Sequence, residues 1–166
     1  PGHPECHITP GVEVTTGPLG QGFANAVGLA VAEAHMAANF NIIPESQKLI
    51  NNHTYVLMGD GCMQEGVACE AASLAGHLKL DHLVCVFDDN KITIDGSLDL
   101  TCSDDVAARF RSYGWNVIEA GEIANDCDAL EKVLQQAKNH VGAPTLVVLR
   151  THIGFPSPEM TDKHEA

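Results

Sequence analysis

Two short apolar runs, each ending in an acidic corner, constrain this chain more than any other feature. Tyr55-Val-Leu-Met58 reads as a buried strand and runs into Gly59-Asp60-Gly61. Leu83-Val-Cys-Val-Phe87 reads as a second strand and runs into Asp88-Asp89-Asn90. Roughly Glu65 to His77, between them, reads as a helix. Downstream, Ser103 has the chemistry of an N-cap for a helix ending near Tyr113-Gly114. Trp115-Asn-Val-Ile118 reads as a strand, and Asn125 or Asp126 caps a helix through His140. Thr145-Leu-Val-Val-Leu-Arg150 is another apolar strand. Upstream, Gly17-Pro18-Leu19-Gly20-Gln21-Gly22 opens a long helical pattern, with Phe23, Val27, Ala30, Val31 and Ala34 at helical spacing. Pro18 suits a first helical position, where its missing N–H costs nothing. Asn39 to Asn52 reads as a polar loop, and both ends of the chain are Gly/Pro-containing. Strands alternating with helices predict an α/β fold, a mostly parallel sheet with helices on both faces. We expect one domain over residues 1–166, itself part of a larger unit whose amino-terminal strands lie elsewhere.

The acidic corners are the candidate site. Gly59 and Gly61 let the chain turn sharply as it leaves its strand. Asp60 then stands at the carboxyl edge of the sheet, where open α/β proteins bind ligands. If the two strands are neighbours, Asp60 meets the amide oxygen of Asn90. Hard oxygen donors of this kind suit Mg²⁺ or Ca²⁺ bridged to phosphate oxygens. A helix starting just after Gly61 would aim free N–H groups at a diphosphate. Gly-Asp-Gly alone is as readily a solvated turn; the second corner and the following helix together make that reading the weaker one. The segment 17–22 reads G-x-x-G-x-G rather than the dinucleotide order G-x-G-x-x-G, so a nicotinamide site is not expected.

Nine Lys and Arg against 22 Asp and Glu give a net charge of −13, which argues against nucleic acid and anionic membrane surfaces as partners. One small anionic cofactor remains compatible, because a metal and backbone N–H groups can hold it. The six cysteines contain no C-x-x-C pair and read as reduced thiols rather than a disulfide framework or a zinc site. No apolar run is long enough to span a bilayer. Cys62, beside Asp60, has no nameable base and reads as packing. His77 reads as a structural histidine, and His35, His53, His82 and His140 as surface residues.

Several longer words resemble one family. Gly2-His3-Pro4-Glu5, Gly11-Val-Glu-Val-Thr-Thr-Gly-Pro-Leu-Gly-Gln-Gly22 and Asn25-Ala-Val-Gly28 resemble transketolase. So do Gly59-Asp-Gly-Cys-Met-Gln-Glu-Gly66, Glu70-Ala-Ala-Ser-Leu-Ala-Gly-His77 and Asp88-Asp-Asn-Lys-Ile-Thr-Ile-Asp-Gly96. They cover most of residues 1–118; beyond that only the strand-helix pattern and Ile153-Gly154-Phe155 continue the match. The resemblance implies ketol transfer between sugar phosphates, with thiamine diphosphate and Mg²⁺ (or Ca²⁺) as cofactors. It implies metal ligation by Asp60, the Asn90 side chain and the Ile92 carbonyl, and a Gly61 N–H on the diphosphate. It places Ile94 and Ile153 near the thiazolium ring, and Gly17 and Leu19 along the aminopyrimidine. It places His3 near the reacting carbon as the catalytic residue, and Glu65 and Glu70 at a homodimer contact. The glutamate that activates the aminopyrimidine would come from the pyrimidine-binding domain of a second subunit. A cytoplasmic or plastid-stromal location follows from the same resemblance.

Read without it, His3 is an exposed loop histidine and Glu65 and Glu70 are a solvated helix face. Ile92 and Ile94 are core strand residues under either reading. His152, beside Ile153, faces either the cofactor or the surface, and His164 has no assigned role. A dihydroxyacetone synthase, a deoxyxylulose phosphate synthase, a 2-oxo acid dehydrogenase component, a split transketolase subunit and a non-catalytic module are the alternatives. The Thr-Thr-Gly-Pro-Leu-Gly-Gln-Gly word favours transketolase over them.

Overall fold

The computed structural model describes residues 4–42 and 47–166. In chain order the elements are α1 (Gln21–Phe40), β1 (Thr54–Gly59), α2 (Asp60–Gln64), α3 (Gly66–Leu78) and β2 (Leu83–Asp89). A small ribbon of β3 (Ile92–Thr93) and β4 (Gly96–Ser97) follows, then α4 (Val106–Ser112), β5 (Asn116–Gly121), α5 (Cys127–Lys138) and β6 (Thr145–Arg150). Four strands form one sheet in the order β1-β2-β6-β5, and every adjacent pair is parallel. The predicted α/β class with a parallel sheet is what the chain adopts.

Alternation along the central strand β2 divides the core. Leu83, Cys85 and Phe87 join a cluster with α1, α3 and α4, while Val84 and Val86 join one with α5. Both faces of β2 are therefore dry, which is why its sequence is a continuous apolar run. The first cluster centres on Phe23, Phe110 and Trp115, with ring centroids 4.9–6.2 Å apart. The Trp115 indole N–H donates to the Ala72 carbonyl at 2.8 Å, so the ring is buried without an orphaned donor. Helix α3 meets this cluster through Ala68, Ala72, Ala75 and Gly76. Small side chains there let backbones approach closely: a Cβ on Gly76 would lie 1.9 Å from the Tyr113 carbonyl oxygen.

The structure corrects several expectations. Helix α1 starts at Gln21, not Pro18, because its cap Gly20 takes a left-handed conformation with φ 78°. Its inner face is Phe23, Ala26, Val27, Ala30 and Glu33, and Val31 and Ala34 point outward. The run Tyr55–Met58 is not wholly buried, since β1 is an edge strand and Tyr55 and Leu57 face outward. Asp60 opens helix α2 directly instead of sitting in a turn, and Glu65 caps the next helix. Asp105 rather than Ser103 caps α4, accepting from Ala108 N–H at 2.8 Å. Trp115 lies before β5, and α5 stops at Lys138. Asp126 caps α5 as expected, accepting from Ala129 N–H. His77 is exposed rather than structural. Asn39–Asn52 is helical to Phe40, and positions 43–46 lie outside the described residues. Among the described residues no helix is long and apolar enough to cross a membrane, and all six cysteines are free thiols.

Candidate functional site

The two acidic corners meet. Strands β1 and β2 are neighbours in register, with Gly59 opposite Asp88, so their carboxyl ends open onto the same place. The Lys91 N–H donates to Asp60 Oδ2 at 2.8 Å, tying the exit of β2 directly to the exit of β1. Lys91 reaches because it takes a left-handed conformation, with φ 66°. Its ammonium pairs with Asp89 Oδ1 at 2.6 Å, so the second corner already holds one cation of its own. The Asn90 Oδ1 accepts from Ile92 N–H at 2.8 Å, which folds the corner back on itself.

Asp60 is 3% exposed. Burial pushes its carboxyl above the usual carboxylate range; the Lys91 N–H pulls the other way, and the charges of Asp89 and Asp88 add to the rise. Its Oδ1 receives no hydrogen bond from a described residue. The Lys91 charge offsets part of that rise. A buried carboxylate with one oxygen free of hydrogen bonds, beside two like charges, fits a site that a further cation completes. The Asn90 amide oxygen keeps a second lone pair beyond its bond to Ile92, so it too fits a metal. No group of three His, Cys, Asp or Glu side chains among the described residues is arranged to hold a metal. From the side chains described above, a cation here would rest on one carboxylate and one amide oxygen, with the remaining ligands from other oxygens. That oxygen-rich, low-charge set suits Mg²⁺ or Ca²⁺.

Beside the Asp60 corner lie α2 and the segment before α1. Gly61 lies in the first turn of α2, whose N–H groups have no partners inside the helix. Leu19, half exposed, folds over it: a Cβ on Gly61 would be 3.1 Å from Leu19 Cδ1. Gly20 is buried against Glu65 and Val67, where any Cβ would approach both to 2.9 Å. These contacts bring the segment 17–20 to the Asp60 corner. Gly17 is exposed.

Ile92 is half-buried in β3, but Ile94 is 90% exposed at the tip of the β3–β4 ribbon, not in the core. The chain turns at Ile94 and Asp95 to pair Thr93 with Gly96, so the strand alternation stops before residue 94. Ile153 is half-buried just past β6, alongside β2 at the same sheet end. Glu65 and Glu70 are both exposed, and His3 lies outside the described residues.

Lys91 and Arg109 were not singled out from the sequence. The Arg109 guanidinium joins the Met63 carbonyl of α2 to Asp104, at 2.7 and 3.0 Å, and so holds the short helix that carries Asp60. A cation directly after three polar oxygen-bearing residues was the available signal for Lys91; Arg109 had none.

The family model described as "Transketolase, thiamine diphosphate binding domain" matches residues 1–166. The chain is 52% identical over 162 residues to a transketolase of Nostoc sp., covering 98% of this chain and 24% of that protein. Among solved structures, a transketolase from Leishmania mexicana superposes with a TM-score of 0.88 at 48% identity, covering 99% of this chain and 24% of its own. A Pichia stipitis transketolase in complex with sedoheptulose-7-phosphate superposes with a TM-score of 0.89 at 47% identity, again over 99% of this chain and 24% of that one. The chain thus spans about a quarter of the length of the relatives it matches. With the family model matched across the whole chain and the fold shared at close to half identity, the chain belongs to the transketolase thiamine diphosphate-binding domain family.

Proposed function

We propose that residues 1–166 carry the metal and diphosphate half-site of a transketolase. The whole protein transfers a two-carbon ketol unit from a ketose phosphate to an aldose phosphate. The observation that carries this reading is the Lys91 N–H bond to Asp60, which joins the two predicted corners into one acidic corner at the carboxyl end of the sheet. Asp60, the Asn90 side chain and the Ile92 carbonyl hold Mg²⁺ or Ca²⁺. The Gly61 N–H meets the diphosphate. Leu19 and Gly17 line the aminopyrimidine through backbone atoms, and Ile94 and Ile153 form apolar walls for the thiazolium. The exposure of Ile94 leaves its side chain open to contact a ligand.

Bound here, thiamine diphosphate supplies the carbanion stabilisation that ketol transfer needs. The chain's own share is to neutralise the diphosphate, orient the rings and exclude water from their apolar side. His3 stands near the donor sugar, and Glu65 and Glu70 meet the second subunit of a homodimer, whose pyrimidine-binding domain completes the site. Their exposure leaves both glutamates available for that contact. Residues 1–166 are thus one part of the diphosphate-binding domain. Six free thiols fit a reducing compartment, the cytoplasm or a plastid stroma.

Calorimetric titration with thiamine diphosphate, with and without Mg²⁺, tests the site. The protein that carries this chain should bind in a metal-dependent way, and Asp60→Ala should abolish that dependence. Metal-independent binding, or an unaffected variant, would overturn the assignment. The isolated 166 residues should bind weakly and show no turnover in a coupled ketol-transfer assay; turnover there would refute the half-site reading.

A further inference from the structure

The segment after β6 carries a small clasp. Arg150 donates to the Asp89 carbonyl at 2.7 Å, and the Thr151 hydroxyl bonds the Asp88 carboxylate, so the chain leaves β6 tied to the second acidic corner. Next, His152 Nδ1 lies 3.0 Å from both carboxylate oxygens of Asp162. A carboxylate only accepts, so Nδ1 carries the proton. The opposite ring nitrogen is 4.0 Å from Glu122, just past β5. Asp162 also donates its own N–H to the Ile153 carbonyl at 2.9 Å. One residue thus holds two consecutive positions, His152 by its side chain and Ile153 by its backbone. It does so in a left-handed conformation, φ 61°, which costs a non-glycine residue and persists where the surroundings impose it. On the far side, Gly154 is also left-handed, and a Cβ there would meet the Met160 carbonyl at 2.8 Å.

We propose that the His152–Asp162 clasp is a positioning device that fixes Ile153 at the carboxyl edge of the sheet as a rigid wall of the cofactor site. His152 and Asp162 touch no reacting group; they act through Ile153. The inference rests on the reading of Ile153 as a cofactor contact. An exposed side-chain hydrogen bond stabilises a fold very little, so the clasp's effect falls on where Ile153 sits rather than on folding.

The test uses three variants of the whole protein. Asp162→Gly keeps the left-handed backbone and its N–H but removes the carboxylate. Asp162→Asn keeps an acceptor for His152, and Ile153→Ala probes the wall itself. Thiamine diphosphate affinity with Mg²⁺ is measured by calorimetry, and the unfolding midpoint on cofactor-free protein. Asp162→Gly should weaken binding roughly five- to tenfold, the worth of one hydrogen bond, at an unchanged midpoint. Asp162→Asn should restore most of the affinity. Wild-type affinity in Asp162→Gly beside a weakened Ile153→Ala would overturn the clasp alone. A lowered midpoint in Asp162→Gly would reduce the pair to a stabilising contact and overturn the positioning role. Wild-type affinity in Ile153→Ala would overturn the reading of Ile153 on which the clasp rests.

Discussion

At the carboxyl end of the sheet Asp60, Asp88 and Asp89 crowd together, with the Lys91 ammonium paired to Asp89. At the amino end the polar groups are paired. Glu33, 5% exposed, receives the His82 ring nitrogen at 3.0 Å. His82 stacks on His53 at 4.2 Å, and His53 lies 3.2 Å from the Lys138 carbonyl. The Asp81 carboxylate accepts from Gly142 N–H. Both ends bury carboxylates, but only the carboxyl end sets several of them close together. Desolvated charge without a full set of partners is costly, and it persists where a ligand repays that cost. The paired end holds the helices onto the sheet, and the crowded acidic end is the candidate site.

The largest way to break this contrast is Gly76→Ala. Gly76 lies near the carboxy terminus of α3, at the sheet's amino end, and the added methyl would collide with the Tyr113 carbonyl. Backbone cannot yield cheaply, so unfolding free energy should drop by about 3 kcal/mol or more in urea denaturation. Next comes Asp60→Asn, which keeps an acceptor for Lys91 but loses the charge. Metal-dependent cofactor affinity should fall about a hundredfold or more, read by calorimetry. Folding stability should hold or rise, because burial already works against this carboxylate. A joint loss of binding and stability would erase the distinction between the two ends.

Glu33→Gln is the reciprocal change. It should cost about 1 kcal/mol of stability by weakening the bond to His82, with cofactor affinity untouched. The smallest effect belongs to His53. Burial lowers its proton affinity first, and the neighbouring His82 lowers it further. The folded protein then binds fewer protons at this ring than the unfolded chain. Its contribution to stability is intact above the ordinary value of 6.5 and is lost as pH falls through the lowered one. His53→Phe keeps a ring on His82 and should flatten that acid-side slope, checked by denaturation at several pH values. An unchanged slope would assign the pH response to other groups.

Apolar runs and their spacing made the fold class legible, because a parallel sheet needs strands dry on both faces and helices between them. β2 and β6 obey this most fully. Ile92 and Ile94 read as one alternating strand, but β3 is two residues long and the chain turns at Ile94, so the alternation does not reach it. The start of α1 was misplaced because Pro18 is as compatible with the turn before a helix as with its first position; the left-handed Gly20 decides. Cap identity was similarly local: Ser103 and Asp105 are equally good chemistry, and only Asp105 meets a free N–H.

The sequence by itself determined that two strand exits bear an aspartate and an asparagine amide, and that the chain resembles one family. The tertiary structure decided which oxygens are free. Strand adjacency and the left-handed turn at Lys91 engage one oxygen of Asp60 and leave the other open. It also turned Ile94 outward and joined His152 to Asp162 across ten residues. Residue type and periodicity report which chemistry is present and which face is dry. Whether a given polar atom is satisfied depends on neighbours far apart in the chain, and only their folded positions settle it.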